Sequence, residues 1–250
     1  MTDRNVTAAV LVIGNEILSG RTRDANIGWL ASELTGLGIR LREARVVPDL
    51  EAEIISAVTD LRQKYDLVFA TGGIGPTHDD ITAGAVAKAF GVPLIRNPEA
   101  VRRLRAHYAD PAALNAARLR MADIPEGAGL IDNPVSKAPG FRIANVHVMA
   151  GIPAIMQAMF GGLRDSLARG PRLMSRTLDA ELAEGLMAAR LAAIQRAHPA
   201  VEIGRYPHLR DGRPGAAIVL RAVDAQDLSL ATAAVAAMMR ELGAEPREAH

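Results

Sequence analysis

Three short segments carry acidic residues or glycines with which chemistry could be done: Gly14-Asn15-Glu16, Pro48-Asp49, and Thr71-Gly72-Gly73-Ile74-Gly75-Pro76-Thr77-His78-Asp79-Asp80. In the third, Gly72, Gly73 and Gly75 let successive backbone amides turn into one concavity, and such a nest beside a helix N-terminus binds phosphate through its N–H groups. A tight strand-to-helix turn is the plain alternative. The segment is not a Walker A loop, because GxxxxGK[ST] is missing. Nor is it a dinucleotide fingerprint, because Gly73-Ile74-Gly75 lacks the third glycine. Asp79 and Asp80 read first as helix-capping acids. Two adjacent carboxylates facing a phosphate nest would repel a bare anion, however. A ligand there is expected to bring Mg²⁺ or another hard divalent cation, bound by Asp oxygen. Asp49 either completes that site or caps the helix that begins at Leu50. Asn15 and Glu16 are contacts or a solvated turn, His78 is a phosphate contact or a loop residue, and His147, in an apolar run, belongs to the core. No HExxH or close histidine pair points to zinc.

The elements that would position these loops follow from hydrophobic periodicity. Ala8 to Ile13 reads as a strand, and Asp24 to Leu37 as a helix with Ile27, Leu30, Leu34 and Leu37 on one face. Ile39 to Val47 is a half-buried strand. Leu50 to Lys64 is a helix with Leu50, Ile54, Ala57, Val58 and Leu61 inward. Asp66 to Thr71 is a fully buried strand, followed by a helix from about Asp79 to Phe90. Three strand–helix units with short connections imply right-handed crossovers and a parallel sheet with helices on its faces. In such a sheet ligands bind beyond the carboxyl ends of the strands, where the three loops fall.

Asn97 to Arg120 is helical in composition, broken at Asp110-Pro111. Leu130-Ile131 is a short strand, Phe141 to Ile143 and Val146 to Met149 form a hairpin about Ala144-Asn145, and Pro153 to Leu167 is a helix with proline first. Gly170-Pro171 marks a boundary between domains 1–170 and 171–250. Beyond it, Arg172 to Leu178 is strand-like, Asp179 to Ala197 helical, Val201 to Arg205 and Gly215 to Arg221 strands about a turn at Gly212, and Asp227 to Leu242 a helix. This order suits a small ferredoxin-like α+β domain, with Gly243 to His250 frayed.

Composition narrows the chemistry. In 250 residues, Lys+Arg 29 against Asp+Glu 28 gives a net charge of +1, so no global field draws the chain onto nucleic acid. Aromatics at 3% leave too few rings for a base-stacking surface. The absence of cysteine removes disulfides, thiolate catalysis and thiolate zinc sites. No apolar run is long enough for a signal-peptide core or a membrane span, so a cytoplasmic protein without membrane or nucleic-acid partners is expected.

Together these segments resemble a known family. Val12-Ile13-Gly14-Asn15-Glu16-Ile17-Leu18-Ser19-Gly20, Asp24 with Asn26, Val47-Pro48-Asp49 and the run from Thr71 to Thr82 are similar to the MoaB/Mog-type molybdopterin-binding domain. The nearest branch is the amino-terminal part of CinA, the competence/damage-inducible protein, whose relatives include a domain of eukaryotic FAD synthases. Ser136 to Phe141 and Met149 to Pro153 extend the likeness, and Ile203 to Pro207 resembles the small domain that follows in CinA. The sequence departs from the pattern at Met149-Ala150-Gly151, where Leu-Pro-Gly is usual, and at Ser136, more often glycine.

The resemblance implies a three-layer α/β/α, mostly parallel domain that holds a pterin or nucleotide pyrophosphate. Its binding residues would be Thr71, Gly72, Gly73, Gly75 and Thr77, with Gly14, Asn15, Glu16, Gly140 and Gly151. Asp80 and Asp49 would be catalytic, and Asp80 with Asp79 would hold the metal. In the Mog branch such a domain adenylylates molybdopterin; in the CinA branch it resembles a metal-dependent pyrophosphatase of ADP-ribose or FAD-like dinucleotides. A homo-oligomer is expected on the family's pattern. The deamidase domain of full CinA proteins has no counterpart before His250, so a stand-alone form without nicotinamide-nucleotide deamidation is expected. The competing readings are a pterin carrier, possessing no chemistry, and a regulatory scaffold. Gly73→Val should block the nest sterically and leave only a scaffold's function intact.

Overall fold

The computed structural model describes residues 5–108, 110, 113–182, 184–210 and 212–249. Met1 to Arg4 of the polar start, Pro111 of the expected helix break and His250 of the tail lie outside them. Two compact units divide the chain, Met1–Gly170 and Pro171–His250.

The first unit is built on a six-stranded sheet. Its strands are β1 (Val6–Ile13), β2 (Ile39–Val47), β3 (Leu67–Thr71), β6 (Gly129–Ile131), β7 (Gly140–Ile143) and β8 (Val146–Met149), in the order β2-β1-β3-β8-β7-β6. β2, β1, β3 and β8 run parallel, and β7 and β6 extend the sheet antiparallel. Alternation along β1 fills both faces. Ala9, Leu11 and Ile13 pack with Ile54, Val58 and Leu61 of α3 (Glu51–Lys64) and Ala85 and Val86 of α4 (Thr82–Phe90). On the opposite face, Ala8, Val10 and Val12 pack with Leu30 and Leu34 of α2 (Asn26–Gly36) and Met156, Met159 and Phe160 of α7 (Pro153–Leu163). The result is the expected three-layer α/β/α sandwich. Phe69 at its centre is fully buried, and truncating such a phenylalanine to alanine costs about 3–5 kcal/mol. Ile155 and Leu163 of α7 pack against the same core.

Several expectations are corrected. Leu50 is 58% exposed, because the chain is still extended there and α3 starts one residue later. α4 starts at Thr82, since residues 77–80 form a turn of their own. Gly14-Asn15-Glu16 opens a one-turn helix, α1 (Asn15–Leu18). α7 stops at Leu163 and continues as a 3-10 turn, Arg164–Ser166. Two strands were not foreseen: β4 (Leu94–Arg96) and β5 (Asp123–Pro125) pair antiparallel as a small separate sheet. Between them lie α5 (Pro98–His107), capped by the Asn97 side chain, and α6 (Ala116–Leu119).

The second unit has β9 (Met174–Ala180), α8 (Glu184–Ala197), β10 (Glu202–Arg210), β11 (Arg213–Ala222), α9 (Ala225–Glu241) and β12 (Arg247–Ala249). The antiparallel order β10-β11-β9-β12 is that of a ferredoxin-like sheet. Leu178, Ile218 and Leu220 on one sheet face meet Met187, Leu191, Val235 and Met239 from the helices. The expected frayed tail is corrected, because residues 247–249 pair with β9. The expected helix from Asp179 is also corrected: Asp179 and Ala180 finish β9, and the helix begins at Glu184.

Candidate functional site

One crossover leads from β1 to β2 on one side and the next leads from β2 back past β1 to β3 on its other side, and the crevice beyond the carboxyl ends of such strands is where parallel sheets bind ligands. A cavity of about 450 Å³ opens there. Gly14 and Glu16 line it from behind β1, Asp49 from behind β2, Gly72 to Pro76 with Asp79 and Asp80 from behind β3, and Ala150 to Ile152 from behind β8.

The glycine loop is anchored rather than loose. Gly72 donates its amide to Met149 O at 3.1 Å, and Thr82 returns its amide to Gly73 O at 3.0 Å. The buried Thr82 hydroxyl donates to Gly72 O at 3.0 Å. Gly72 (φ 104) and Gly73 (φ 66) occupy left-handed backbone. A Cβ on Gly72 would meet the Ile13 carbonyl oxygen, and one on Gly73 would meet the Thr82 hydroxyl. Gly73→Val would therefore dislodge the loop's anchor before it blocked any ligand, which corrects its use as a simple steric plug. The amides of Gly73, Ile74 and Gly75 have no acceptor among the described residues, and all three residues line the cavity.

The acids are held by neighbouring loops. Asp80 Oδ2 accepts the Thr77 amide at 2.8 Å and the Thr77 hydroxyl, and a Cβ on Gly75 would stand 2.6 Å from that oxygen. Asp80 therefore lies against the glycine loop and does not cap α4, whose N-cap has no side-chain partner. Asp79 is exposed beside His78. The Thr77 hydroxyl, followed by the Asp79 amide, holds its carboxyl below the usual carboxylate range, although the single hydroxyl proton points to Asp80. Asp49 does not cap α3 either. Its Oδ2 accepts the Asn15 amide at 2.8 Å, tying the loop after β2 to the one after β1. The Glu16 carboxylate folds back over Gly14, within 2.5 Å of where a Cβ would stand.

Glu16, Asp49, Asp79 and Asp80 thus share one cavity whose lining includes no lysine, arginine or histidine. Among the described residues no three His, Asp or Glu side chains converge into a metal cage. A donor set of one or two carboxylates with open oxygens instead fits Mg²⁺, which keeps much of its water and takes its remaining ligands from phosphate.

Thr71, Thr77, Asn15 and Gly140 stand aside from the cavity. Thr71 is buried, its hydroxyl unpartnered, and lines an adjoining space of about 60 Å³ at the start of α2. Thr77 and Asn15 act through Asp80 and Asp49. Gly140 is buried in β7, where a Cβ would strike Val148 O. Gly151 reaches the cavity edge, its carbonyl held by Asn26 Nδ2 at 2.8 Å. His147 is core, stacked on Phe69 at 5.2 Å, and burial pushes its pKa down to about 4, with Arg142 adding to the effect. Asn133 and Met121 line the cavity unforeseen. Asn133 organises the loop after β6 by donating to Ser136 Oγ at 2.7 Å and Ala138 O at 2.8 Å, and its Asn-Pro pair was the available signal.

Residues 9–169 match the family described as probable molybdopterin binding domain. The chain belongs to the molybdopterin-binding-domain family. Residues 172–248 match the FAD synthase, middle domain. A Pyrobaculum calidifontis protein is 41% identical over 172 residues, 66% of this chain and 66% of its own length. A CinA-like protein of Desulfosudis oleivorans is 35% identical over 217 residues, 81% of this chain and 52% of its own. The chain spans less than two thirds of the length of these curated relatives. The crystal structure of the protein CinA with unknown function from Thermoplasma acidophilum superposes with a TM-score of 0.60 at 35% identity, covering 64% of this chain and 98% of that one. This molybdopterin-binding domain is therefore of the CinA-like branch. No helix among the described residues is long and apolar enough to cross a membrane.

Proposed function

We propose that the cavity binds a nucleotide pyrophosphate with one divalent cation and hydrolyses it, the substrate being a dinucleotide of the ADP-ribose or FAD type. The reading is carried by one observation: four carboxylates and three open amides share a cavity that no cationic side chain lines. Amides alone do not offset four negative groups, so an anionic ligand needs a cation brought with it. Asp80 and Asp49 would hold that cation, with Asp79 at the rim; the ion supplies charge neutralisation and a more acidic water.

The chain's own groups do the rest. The Gly73 to Gly75 amides take the phosphate oxygens on which charge grows. Asn15 and Thr77 fix one oxygen of Asp49 and of Asp80, leaving the other to orient water. Water adds to one phosphorus, the P–O bridge breaks, the departing phosphate keeps the electron pair, and the proton lost by water passes to Asp49. Incubation with ADP-ribose or FAD and Mg²⁺ should give two monophosphate products, with Asp80→Ala at background. No turnover above the Asp80→Ala control with either substrate would refute hydrolysis. The family description favours a pterin carrier as the second reading; co-purified pterin fluorescence without turnover would establish it instead.

A further inference from the structure

A second lobe of about 210 Å³ shares Gly73, Ile74, Gly75, Asp80 and Met121 with the first, so the glycine loop forms a saddle between them. The two lobes differ in charge. In the smaller one, the Glu51 carboxylate is taken by Lys88 Nζ, at 2.7 Å from each oxygen. Asp123 is taken by Arg96 through a two-point fork at 2.7 and 2.9 Å. Both acids are thus already neutralised. Arg120, just beyond α6, lines the same lobe and is exposed, its side chain without a hydrogen bond or ion pair among the described residues. The larger lobe holds carboxylates without a cation, whereas the smaller adds one uncommitted guanidinium.

We infer that Arg120 is a specificity-determining residue, gripping the second phosphoryl group of a diphosphate whose first lies on the cation side of the saddle. The inference rests on the nucleotide-pyrophosphate reading and adds which side chain distinguishes a diphosphate from a monophosphate. The planar guanidinium fork matches two phosphate oxygens, and Arg120 breaks no internal bond to reach them. Size gives the direction: the smaller lobe suits the second phosphate and the start of the sugar esterified to it, and the larger has room for the heterocycle. A monophosphate on the cation side would leave Arg120 untouched.

The test is titration calorimetry of the full chain with Mg²⁺, using ADP-ribose, AMP and inorganic pyrophosphate as probes against wild type, Arg120→Ala and Arg120→Lys. Losing one charge-assisted contact should weaken ADP-ribose and pyrophosphate about tenfold to a hundredfold in Arg120→Ala. AMP should change less than about twofold, and Arg120→Lys should fall between for the diphosphates, since lysine retains the charge but not the fork. Equal weakening of AMP and ADP-ribose, or none for either, would overturn the assignment. If wild type binds neither nucleotide, the nucleotide reading fails by itself and the pyrophosphate arm decides: weaker binding in Arg120→Ala supports the anion grip, and unchanged or absent binding refutes it. Because Arg120 is exposed and unpartnered, both variants should melt with the wild type.

Discussion

Gly73 and Thr82 offer a direct test of how the glycine loop is held. Removing the Thr82 hydroxyl with Thr82→Ala leaves the buried Gly72 carbonyl without its donor, at a cost of about 1–3 kcal/mol, and the lost methyl adds about 1 kcal/mol. Gly73→Ala puts an L-residue at φ 66, which costs about 1–2 kcal/mol. Its new Cβ also meets the Thr82 hydroxyl, so the same hydrogen bond breaks a second way. In the double variant that bond is lost once, not twice. Its destabilisation should fall short of the sum of the singles by about 1–3 kcal/mol. A residual Cβ–Cβ approach of 3.2 Å keeps the double variant well below wild type. The assay is urea unfolding followed by Trp29 fluorescence. Trp29 is the one tryptophan of the chain, half-buried against the first unit's core, and stands edge-on to Phe160 at 5.4 Å. Additivity within about 0.5 kcal/mol would show that Gly73 is not glycine to make room for Thr82.

Three further outcomes are expected. His147 has its pKa lowered from 6.5 to about 4 by burial, so the unfolded chain takes the proton first: its contribution is complete above 6.5 and lost as pH falls toward 4, at about 1.4 kcal/mol per pH unit. His147→Phe should flatten that slope in Trp29-monitored unfolding, and an unchanged slope would remove His147 as its source. Glu43 is lowered from 4.5 to about 2 by hydrogen bonds from Arg45, then Lys64 and Tyr65, so its stabilisation is complete above 4.5 and disappears as pH falls through about 2. Being partly exposed, it contributes on the order of 1 kcal/mol, and Glu43→Gln should reduce the melting temperature at pH 6 but not at pH 2. Gly215→Ala would press a Cβ to 2.4 Å from His208 Cε1 and 3.1 Å from Ala180 O, moving the ring off Asp179, which it meets at 2.8 Å. A loss of about 1–3 kcal/mol in the second unit is expected, and an unchanged melting curve by circular dichroism would contradict that packing.

The parallel core was legible because its strands carry their own boundaries. Ala8 to Ile13 and Leu67 to Ala70 are apolar runs closed by Gly14 and by Thr71-Gly72, and Leu30, Leu34, Ile54 and Leu61 recur at helical spacing. What stayed hidden lacked periodicity. β4, β5 and β12 are three residues each, too short to show alternation, and they exist only because a distant partner takes their hydrogen bonds. Leu50 misled for the opposite reason. It continues the apolar spacing of α3, yet it precedes the first helical residue and faces solvent.

The acids at the site illustrate the same limit at side-chain scale. Asp49, Asp79 and Asp80 each had a local explanation as a helix cap, and local rules favour it because capping needs only neighbours in sequence. None of the helices uses them so: α3 and α4 lack side-chain caps, whereas Asn97 and Asp224 cap α5 and α9 in the ordinary way. Asp49 is committed instead to Asn15, 34 residues away, and Asp80 to Thr77 in a turn that displaces the helix start. Asp49 and Asp80 each give one oxygen to a loop donor and keep the other unbonded among the described residues. Three acids and three amides without acceptors in one cavity are an arrangement that the proposed nucleotide-pyrophosphate reading accounts for and that helix capping does not.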